Sequence, residues 1–357
     1  MYPGIGGSEG KLRELRHDPL RRRWVIVSTE RSRRPSDYLG GRDREPPLAG
    51  ECFFCAGHEE ETPAELWALR PDGSSPDGPG WQVRVVPNKY PALRRDLRPA
   101  RRAEGPWDMI EGYGAHEVVV ESPDHGADLA DAETPAVQRV LFAYRERMRV
   151  MYADPAVRYV QVFRNHRVEA GASVRHPHSQ LIATPIIPET LEAEYHTTAN
   201  HYLLKERCLL CDMLAYERAV GRRLVADYGD FVVLAPYASG APYELLILPA
   251  LHHSDFTAAD DAAMSRLARV LGDTLGRLKR LLSDPPYNYF LHTGPPPGSG
   301  PRPGYWEHLP HAFHWHLELV PRLGVWGGFE WGTAIPINQT SPEEAAEQLR
   351  EGGKENG

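Results

Sequence analysis

Cysteine is scarce in this chain. Its 357 residues contain only four, and they fall into two Cys-x-x-Cys pairs, Cys52/Cys55 and Cys208/Cys211. Long apolar runs are also missing: no stretch approaches the roughly 18 residues that a membrane helix needs, so we expect no membrane span. The first ten residues lack the apolar core of a signal peptide, so we expect no export and a cytoplasmic protein. Cysteine pairs in that compartment are typical of metal sites rather than of disulfides.

An excess of basic residues is missing as well. The formal net charge is −8 at pH 7, which argues against a general nucleic-acid binder. That charge leaves room for an anionic small-molecule substrate, which a local cluster of positive groups would hold. The length and the 41% hydrophobic content are those of an ordinary globular protein with one large domain or two average ones.

One pattern occurs twice along the chain: a Cys-x-x-Cys pair, an isolated histidine and a His-x-His. This repetition indicates an internal duplication with one candidate metal site in each copy. In each half, apolar alternation predicts short strands before and after one long helix. We place the first helix start at Thr134 as N-cap with Pro135, and the second at a capping box of Thr257 and Asp260.

The expected fold class is therefore α+β, with duplicated units, mostly antiparallel sheets and one long helix per repeat. We predict an N-terminal unit over residues 11–188 and a C-terminal unit over residues 189–350. A polar helix over residues 189–207 is the predicted connector between them.

Zinc prefers four sulfur and nitrogen ligands in a tetrahedron. Each cysteine pair supplies two, and histidines from elsewhere complete each set. We assign Cys52, Cys55, His125 and His176 to the first site, and Cys208, Cys211, His252 and His314 to the second. His116 and His253 are the alternative histidines. Because protein atoms fill all four positions, we expect two structural zinc ions; the competing interpretation, unrelated buried thiols, is disfavoured by the matching places of the two pairs.

The segment His176-Pro177-His178 is the candidate chemical centre. We expect one of its two imidazoles to bind metal while the other faces a pocket. A neutral histidine with a fixed tautomer is a nucleophile. The preceding Gly171-Ala172-Ser173 would let backbone N–H groups and a hydroxyl approach a phosphate, and Gln180 shares the face of His178. The alternative, that His178 is a second metal ligand or a core histidine, is disfavoured by this loop and by Gln180.

These residues resemble the galactose-1-phosphate uridylyltransferase family, a branch of the histidine-triad superfamily. The resemblance is carried by residues 160–165, 171–173 and 176–180. Further matches lie at Trp24–Ser28, Cys52–Gly57, Ser122–His125, His314–His316 and Gly328–Glu330, so that it spans about residues 12 to 350. It implies two histidine-triad-like units, of which the second is non-catalytic, because His316 takes the place of His178 without a small-residue loop before it.

The resemblance implies a ping-pong reaction. His178 attacks the α-phosphorus of a nucleotide sugar and forms a covalent nucleotidyl-histidine. Sugar 1-phosphate leaves, and a second sugar 1-phosphate accepts the nucleotidyl group. The backbone carbonyl of His176 would orient the ring of His178, while Ser173 and Gln180 would hold phosphate oxygens.

Further roles follow from the same resemblance. Arg31 and Arg34 would neutralise the diphosphate, Asn88 and Asn165 would contact the nucleotide, and Glu330 would contact a hexose hydroxyl. Gly171 and Ala172 would belong to the phosphate-binding loop. Members of the family are usually homodimers with sites at the subunit interface, so we expect a homodimer here.

The chain departs from the well-known family type in several places. Ser179 replaces a glycine, Lys89 replaces an acidic residue and Phe329 replaces a tyrosine. Where the well-known type has an iron site, the matching residues are Glu194, His292, His314 and His316, yet a second cysteine pair is present, so zinc is preferred and iron is the alternative. These features resemble the plant-type ADP-glucose phosphorylase branch, an adenylyltransferase with two zinc ions.

The leading hypothesis from the sequence is a UDP-glucose:hexose-1-phosphate (galactose-1-phosphate) uridylyltransferase. The alternatives are adenylyl transfer with phosphorolysis of ADP-glucose, or hydrolysis of a dinucleotide, on the same histidine. A hypothesis of another class is a zinc-containing nucleotide-binding module without turnover.

Overall fold

The computed structural model describes residues 12–29, 52–71, 73–296, 298–300 and 304–352. The first half of the chain contains nine strands and one long helix within these ranges. They are β1 (Arg13–Asp18), β2 (Arg23–Ser28), β3 (Trp67–Leu69), β4 (Val83–Pro87), β5 (Arg101–Glu104), β6 (Trp107–Ile110), β7 (Ala115–Val120), α1 (Thr134–Tyr152), β8 (Tyr159–His166) and β9 (His178–Thr184).

The second half has a similar order of strands around a long helix, with additional helices. Its described elements are α2 (Glu189–Lys205), α3 (Leu209–Val220), β10 (Leu224–Asp227), β11 (Phe231–Leu234), β12 (Leu245–Pro249), α4 (Asp261–Leu282), β13 (Tyr287–His292), α5 (Leu309–Ala312), β14 (His316–Pro321), α6 (Gly328–Thr333), β15 (Ile337–Asn338) and α7 (Pro342–Glu351).

Ten of these strands form one continuous sheet. Its order is β3-β4-β7-β9-β8 followed by β13-β14-β12-β11-β10. Counted inward from its own edge, each half therefore has the same order: its last two strands in sequence exchange places next to the seam. Every neighbouring pair in this sheet is antiparallel, and β8 pairs with β13 at the seam between the halves. The predicted α+β class with duplicated, mostly antiparallel units is confirmed. The boundary between residues 188 and 189 stays a prediction.

The long helices α1 and α4 cover one face of the sheet. Their apolar stripes pack on alternate strand residues in one buried core, which includes Val162, Leu181, Leu271, Leu317 and Leu319. Because side chains alternate along a strand, the residues between these point to the other face. That opposite face carries both of the larger cavities described below, and their lining includes the polar strand residues Gln161, Asn165, His178, Gln180, Asn288, His292 and Glu318.

Two helix starts differ from their predictions. Thr134 lies inside α1, whose N-cap is Glu133, so the predicted start is one residue late. The predicted box of Thr257 and Asp260 is wrong: Asp260 itself caps α4 by accepting a bond from the Ala263 N–H at 2.7 Å. Thr257 instead belongs to a short 3-10 turn, where Asp255 accepts its N–H at 2.8 Å.

The predicted connector helix also ends earlier than expected. It stops at Lys205 because Glu206 adopts a left-handed conformation with φ of 56°, a common way to end a helix. No helix in the described part of the chain combines the length and apolar character that crossing a membrane requires.

Candidate active site and metal clusters

The four residues assigned to the first metal site lie together. The ligand atoms of Cys52, Cys55, His125 and His176 all lie within 4.8 Å of one another. The Cys55 Sγ is 3.6 Å from His125 Nδ1 and 3.7 Å from His176 Nδ1. The Cys-x-x-Cys turn is closed by a bond from the Cys55 N–H to the Cys52 carbonyl at 3.0 Å. His125 follows the end of β7, and His176 immediately precedes β9.

The donors of this cluster fit zinc. Usual zinc–sulfur and zinc–nitrogen bonds in a tetrahedron give a sulfur–nitrogen edge of about 3.6 Å, close to the distances seen. His176 Nε2 donates to the Ser122 carbonyl at 2.7 Å, so Nδ1 presents a lone pair to the sulfurs. Burial and the neighbouring Cys52 raise the pKa of the Cys55 thiol to about 11. A cation would therefore be needed for the Cys55 thiol to ionise near neutral pH.

The second cluster repeats this arrangement with Cys208, Cys211, His252 and His314. Cys211 Sγ lies 3.6 Å from His252 Nδ1 and 3.5 Å from His314 Nδ1. His252 Nε2 donates to the Pro310 carbonyl at 3.0 Å, which fixes its tautomer for metal binding. The geometry again fits tetrahedral zinc.

The alternative histidines take other roles among the described residues. His116 bonds to Gln180 and is not part of the first cluster. His253 lies outside the second cluster, and its carbonyl accepts the Trp315 N–H at 2.9 Å. The histidines that lie beside the two cysteine pairs are therefore His125 and His252.

The residues matched to an iron site do not come together as one set. His314 lies with the cysteines, while Glu194, His292 and His316 lie with Glu318 in a third, fully buried cluster. Two polar atoms there have no hydrogen-bond partner among the described residues: Glu194 Oε1 and His316 Nε2.

A guanidinium lies against this third cluster. Arg21, at the end of the β1–β2 hairpin, forms ion pairs with Glu318, with Glu244 at 3.0 Å and with Glu194 at 3.8 Å. Burial by itself raises the pKa of Glu318, but Arg21 and His292 lower that pKa well below its ordinary value. The protein thus supplies part of the positive charge that these buried carboxylates require.

The second repeat is filled where the first has a cavity. Leu20 and the α3 residues Leu209, Leu210 and Leu214 pack on Val232, Leu234, Leu246 and Leu248. These strand residues belong to β11 and β12, the counterparts of β4 and β7. His316 is fully buried and faces packed protein and the Arg21 cluster. Its non-catalytic role stays a prediction.

His178 begins β9 and faces a cavity of about 750 Å³. Its Nδ1 donates to the His176 carbonyl at 2.8 Å, and since a carbonyl can only accept, Nε2 carries the lone pair. Burial lowers the pKa of His178, which keeps the ring neutral at pH 7. His176 and His178 thus face different surroundings, a metal cluster and a cavity.

The cavity joins an apolar wall to a polar end. The apolar wall is formed by Phe53, Phe54, Val86, Pro87 and Val118. The polar end is formed by Asn88, Ser173, His178 and Gln180. Lys89 and Tyr90 also line it, as do residues 60–63. Its volume is in the range of small-molecule sites. Four of the predicted site residues are therefore brought together around one space.

Other predicted site residues lie elsewhere. Asn165 lines a second cavity of about 600 Å³ over the seam between the halves, not the cavity of His178. Glu330 lines neither cavity; it accepts the Gly327 N–H at 3.1 Å at the start of α6. Arg31 and Arg34 lie outside the described residues.

The small-residue loop before Ser173 is held by two amides. Asn165 Nδ2 donates to the Gly171 carbonyl at 3.2 Å. Asn288 of β13 donates both to Asn165 Oδ1 and to the Ala170 carbonyl, each at 2.8 Å. Gly171 has a φ of 92°, a backbone conformation that residues with a side chain rarely adopt. Asn288, which the sequence analysis missed, lets the second repeat hold this loop of the first.

Ser179, the departure from the family motif, points to the helical side. Its hydroxyl accepts a bond from the Tyr144 hydroxyl of α1 at 2.7 Å. It is buried and does not line the cavity of His178. The replacement of glycine therefore changes the packing behind β9 rather than the lining of the site.

Comparison with known proteins agrees with this architecture. Residues 8–188 match the family model described as galactose-1-phosphate uridyl transferase, N-terminal domain. ADP-glucose phosphorylase of Arabidopsis thaliana is 37% identical over 98% of this chain and 95% of its own length. Galactose-1-phosphate uridylyltransferase of Thermotoga maritima is 29% identical over 95% of this chain and 98% of its own length.

A solved structure shows the same similarity. The crystal structure of ADP-glucose phosphorylase from Arabidopsis thaliana with bound ADP-glucose superimposes with a TM-score of 0.79 at 35% identity, covering 95% of this chain and 99% of that one. The chain belongs to the galactose-1-phosphate uridyl transferase family.

Proposed function

We propose that this protein is a nucleotidyltransferase that uses His178 as its nucleophile. The observation that carries this proposal is the bond from His178 Nδ1 to the His176 carbonyl, which leaves Nε2 free towards the cavity that also holds Asn88, Ser173 and Gln180. A fixed neutral imidazole beside hydrogen-bond donors is suited to attack on phosphorus.

In the first step, the Nε2 lone pair attacks the α-phosphorus of a nucleoside diphosphate sugar. The bond from this phosphorus to the bridging oxygen breaks, and sugar 1-phosphate leaves with the bonding electrons. In the second step, a phosphate oxygen of the acceptor attacks the same phosphorus and the nitrogen–phosphorus bond breaks. The His178 Nδ1 proton stays on the ring throughout, where the His176 carbonyl stabilises the positive charge of the intermediate.

ADP-glucose is the donor that we propose first. The supporting observations are the 37% identity to an ADP-glucose phosphorylase and the second cysteine cluster, a feature that the sequence analysis related to that branch. UDP-glucose with galactose 1-phosphate, the leading hypothesis from the sequence, is the second candidate. It is favoured by the family model and by the relative from Thermotoga maritima.

Both cysteine clusters would hold zinc in structural roles. Bound zinc would tie the Cys-x-x-Cys turns to the residues that precede β9 and β14, and so fix the backbone of His176. No reaction step passes through either metal. The cytoplasmic location remains a prediction of the sequence.

A homodimer would complete the site. Glu330, matched to a hexose contact, does not line the cavity of its own chain, while its neighbours Phe329 and Trp331 are 47% and 74% exposed. We propose that residues 325–331 reach the cavity of a partner subunit. Mixing His178→Asn chains with Glu330→Ala chains should then restore activity that neither preparation has alone; activity no higher than the sum of the two would contradict a shared site.

The function is tested by a transfer assay with two donors and two acceptors. ADP-glucose and UDP-glucose are each combined with inorganic phosphate and with galactose 1-phosphate, and the released glucose 1-phosphate and new nucleotide are measured. We expect turnover with ADP-glucose and phosphate. Turnover only with UDP-glucose and galactose 1-phosphate would select the second candidate, and nucleotide binding without turnover would favour a binding module.

A further inference from the structure

His116 lies on β7 beside the catalytic face of β9, and both of its ring nitrogens are in contact with polar groups. Its Nδ1 accepts the backbone N–H of Ala92 at 3.2 Å. Its Nε2 is 2.7 Å from Gln180 Oε1. A backbone N–H can only donate, so Nδ1 is unprotonated and the proton of the neutral ring is on Nε2. His116 is therefore a donor towards Gln180.

Asn88 contacts both of these side chains. Its Oδ1 accepts the Tyr90 N–H at 2.8 Å, which fixes the amide so that Nδ2 lies 3.2 Å from His116 Nε2. With the ring proton on Nε2, both nitrogens are donors and do not bond to each other. Asn88 Nδ2 is 3.5 Å from Gln180 Oε1. Two donors therefore converge on the Gln180 oxygen. An amide whose oxygen is occupied in this way must present its NH₂ group on the other side.

That other side is the cavity. Gln180 and His178 both line it, and the Gln180 amide nitrogen has no protein acceptor among the described residues. A phosphoryl oxygen on a nucleotide at His178 is an acceptor. The reversed amide would place its own oxygen next to the phosphate, where two acceptors repel each other.

We propose that His116 is a positioning residue that selects the amide orientation of Gln180 and so aims an N–H donor at the phosphoryl group transferred by His178. This inference rests on the proposed function and adds a residue that does not itself touch the substrate. Burial lowers the pKa of His116, which agrees with a neutral ring in this role.

The first test does not depend on turnover. Nitrogen-15 NMR of the histidine-labelled full chain at pH 7.5, assigned with His116→Gln, reports the ring tautomer of His116. We expect the form with the proton on Nε2. The opposite tautomer, or a doubly protonated ring, would overturn the proposal, even if the chain proved to have no transferase activity.

The second test is a double-mutant cycle on formation of the nucleotidyl-enzyme in a single turnover. Removal of one oriented donor at a reacting centre costs up to about a hundredfold or more in rate, so we expect His116→Ala to slow the step by about tenfold to a hundredfold. The same change in a Gln180→Ala background should alter the rate by less than about twofold, because His116 acts only through Gln180. Equal effects in both backgrounds would contradict positioning.

The matched control is His116→Gln. The side-chain nitrogen of glutamine can take the place of His116 Nε2 and donate to Gln180, so this variant should recover most of the rate lost in His116→Ala. Thermal unfolding of all variants separates this effect from a loss of folded protein. If the wild-type chain forms no nucleotidyl-enzyme with any donor, the proposed function fails, and the tautomer measurement still decides the role of His116.

Discussion

The ring of His178 donates through Nδ1 to the backbone carbonyl of His176 at 2.8 Å, and the same bond joins His316 to His314 at 3.0 Å. The duplication thus preserved a device that orients an imidazole in both halves. Only the first imidazole faces an open cavity; the second is buried in the cluster of Arg21. Ring orientation is necessary for the proposed reaction, and access to substrate separates the two copies.

Two metals per chain are expected. Metal analysis of the purified protein should give two zinc ions, and Cys55→Ser and Cys211→Ser should each lower the count by one. Removal of zinc with a chelator should lower the unfolding temperature, because each ion ties distant segments together. A content of three metals would contradict the role given to Arg21, and a folded state indifferent to chelation would contradict structural zinc.

Arg21 is expected to be a strong contributor to stability. Arg21→Met leaves Glu194, Glu244 and Glu318 buried without their cation, which typically costs about 3–5 kcal/mol. Urea unfolding measures this loss. The double variant Arg21→Met with Glu318→Gln should be more stable than Arg21→Met alone, because one uncompensated charge is gone. Equal stability of the two variants would show that the ion pair is not the cause.

Asn288→Leu should impair catalysis from the second repeat. The change removes the donors to Asn165 and to the Ala170 carbonyl at similar volume, so the loop before Ser173 loses its support. We expect the rate at low donor concentration to fall about tenfold, since small displacements at a reacting centre are costly. The control is Val320→Ala. Val320 lies opposite Asn288 on β14 and lines the same seam cavity, and this variant should retain the rate. An unchanged rate in Asn288→Leu would contradict a role of this loop support in catalysis.

Glu343 should contribute a pH-dependent part of the stability. Burial raises the pKa of Glu343, but the hydrogen bonds and positive charges of Arg223 and Arg16 lower it by more. The pKa of Glu343 therefore lies below its ordinary value. Its contribution is therefore fully present above the unfolded pKa of about 4.3 and is lost as the pH falls through the lower folded pKa. Glu343→Gln should cost about 1–3 kcal/mol at pH 7.

The pH course of that difference checks the sign. Urea unfolding of the wild type and Glu343→Gln should give a constant difference in free energy from pH 7 to about pH 5, and a smaller one at lower pH. A difference that grows as the pH falls would contradict the assignment.

The sequence predicted those features that depend on local spacing and on strict chemical requirements. Both cysteine pairs and their histidines assemble as assigned, because a tetrahedral metal site accepts few residue types. His116 and Asn288 were not predicted in their present roles, since each acts across neighbouring strands and only the register brings the groups together. The capping of α4 was misplaced because Asp255 and Asp260 both offer carboxylates to nearby N–H groups, and the sequence alone does not show which one begins the helix.

The cluster around Arg21 shows another limit. Its acids and histidines come from α2, β13 and β14 and from the residue before β12. Its cation comes from the β1–β2 hairpin, far earlier in the sequence: Arg21 precedes Glu244 by 223 residues. The family resemblance pointed to Glu194, His292 and His316. It did not point to Arg21, whose guanidinium pairs with the carboxylates of this cluster. Such pairings depend on packing of distant segments, which periodicity does not report.

The most direct measurement is the mass of the intact protein after mixing with ADP-glucose or UDP-glucose, without acid treatment. We expect an added nucleoside monophosphate on the wild type, AMP from ADP-glucose or UMP from UDP-glucose, and no addition on His178→Asn. His316→Gln, the variant at the equivalent position, should still gain the adduct. Addition of the nucleotide to His178→Asn, or its absence from a wild type that turns over the donor, would contradict a covalent intermediate on His178.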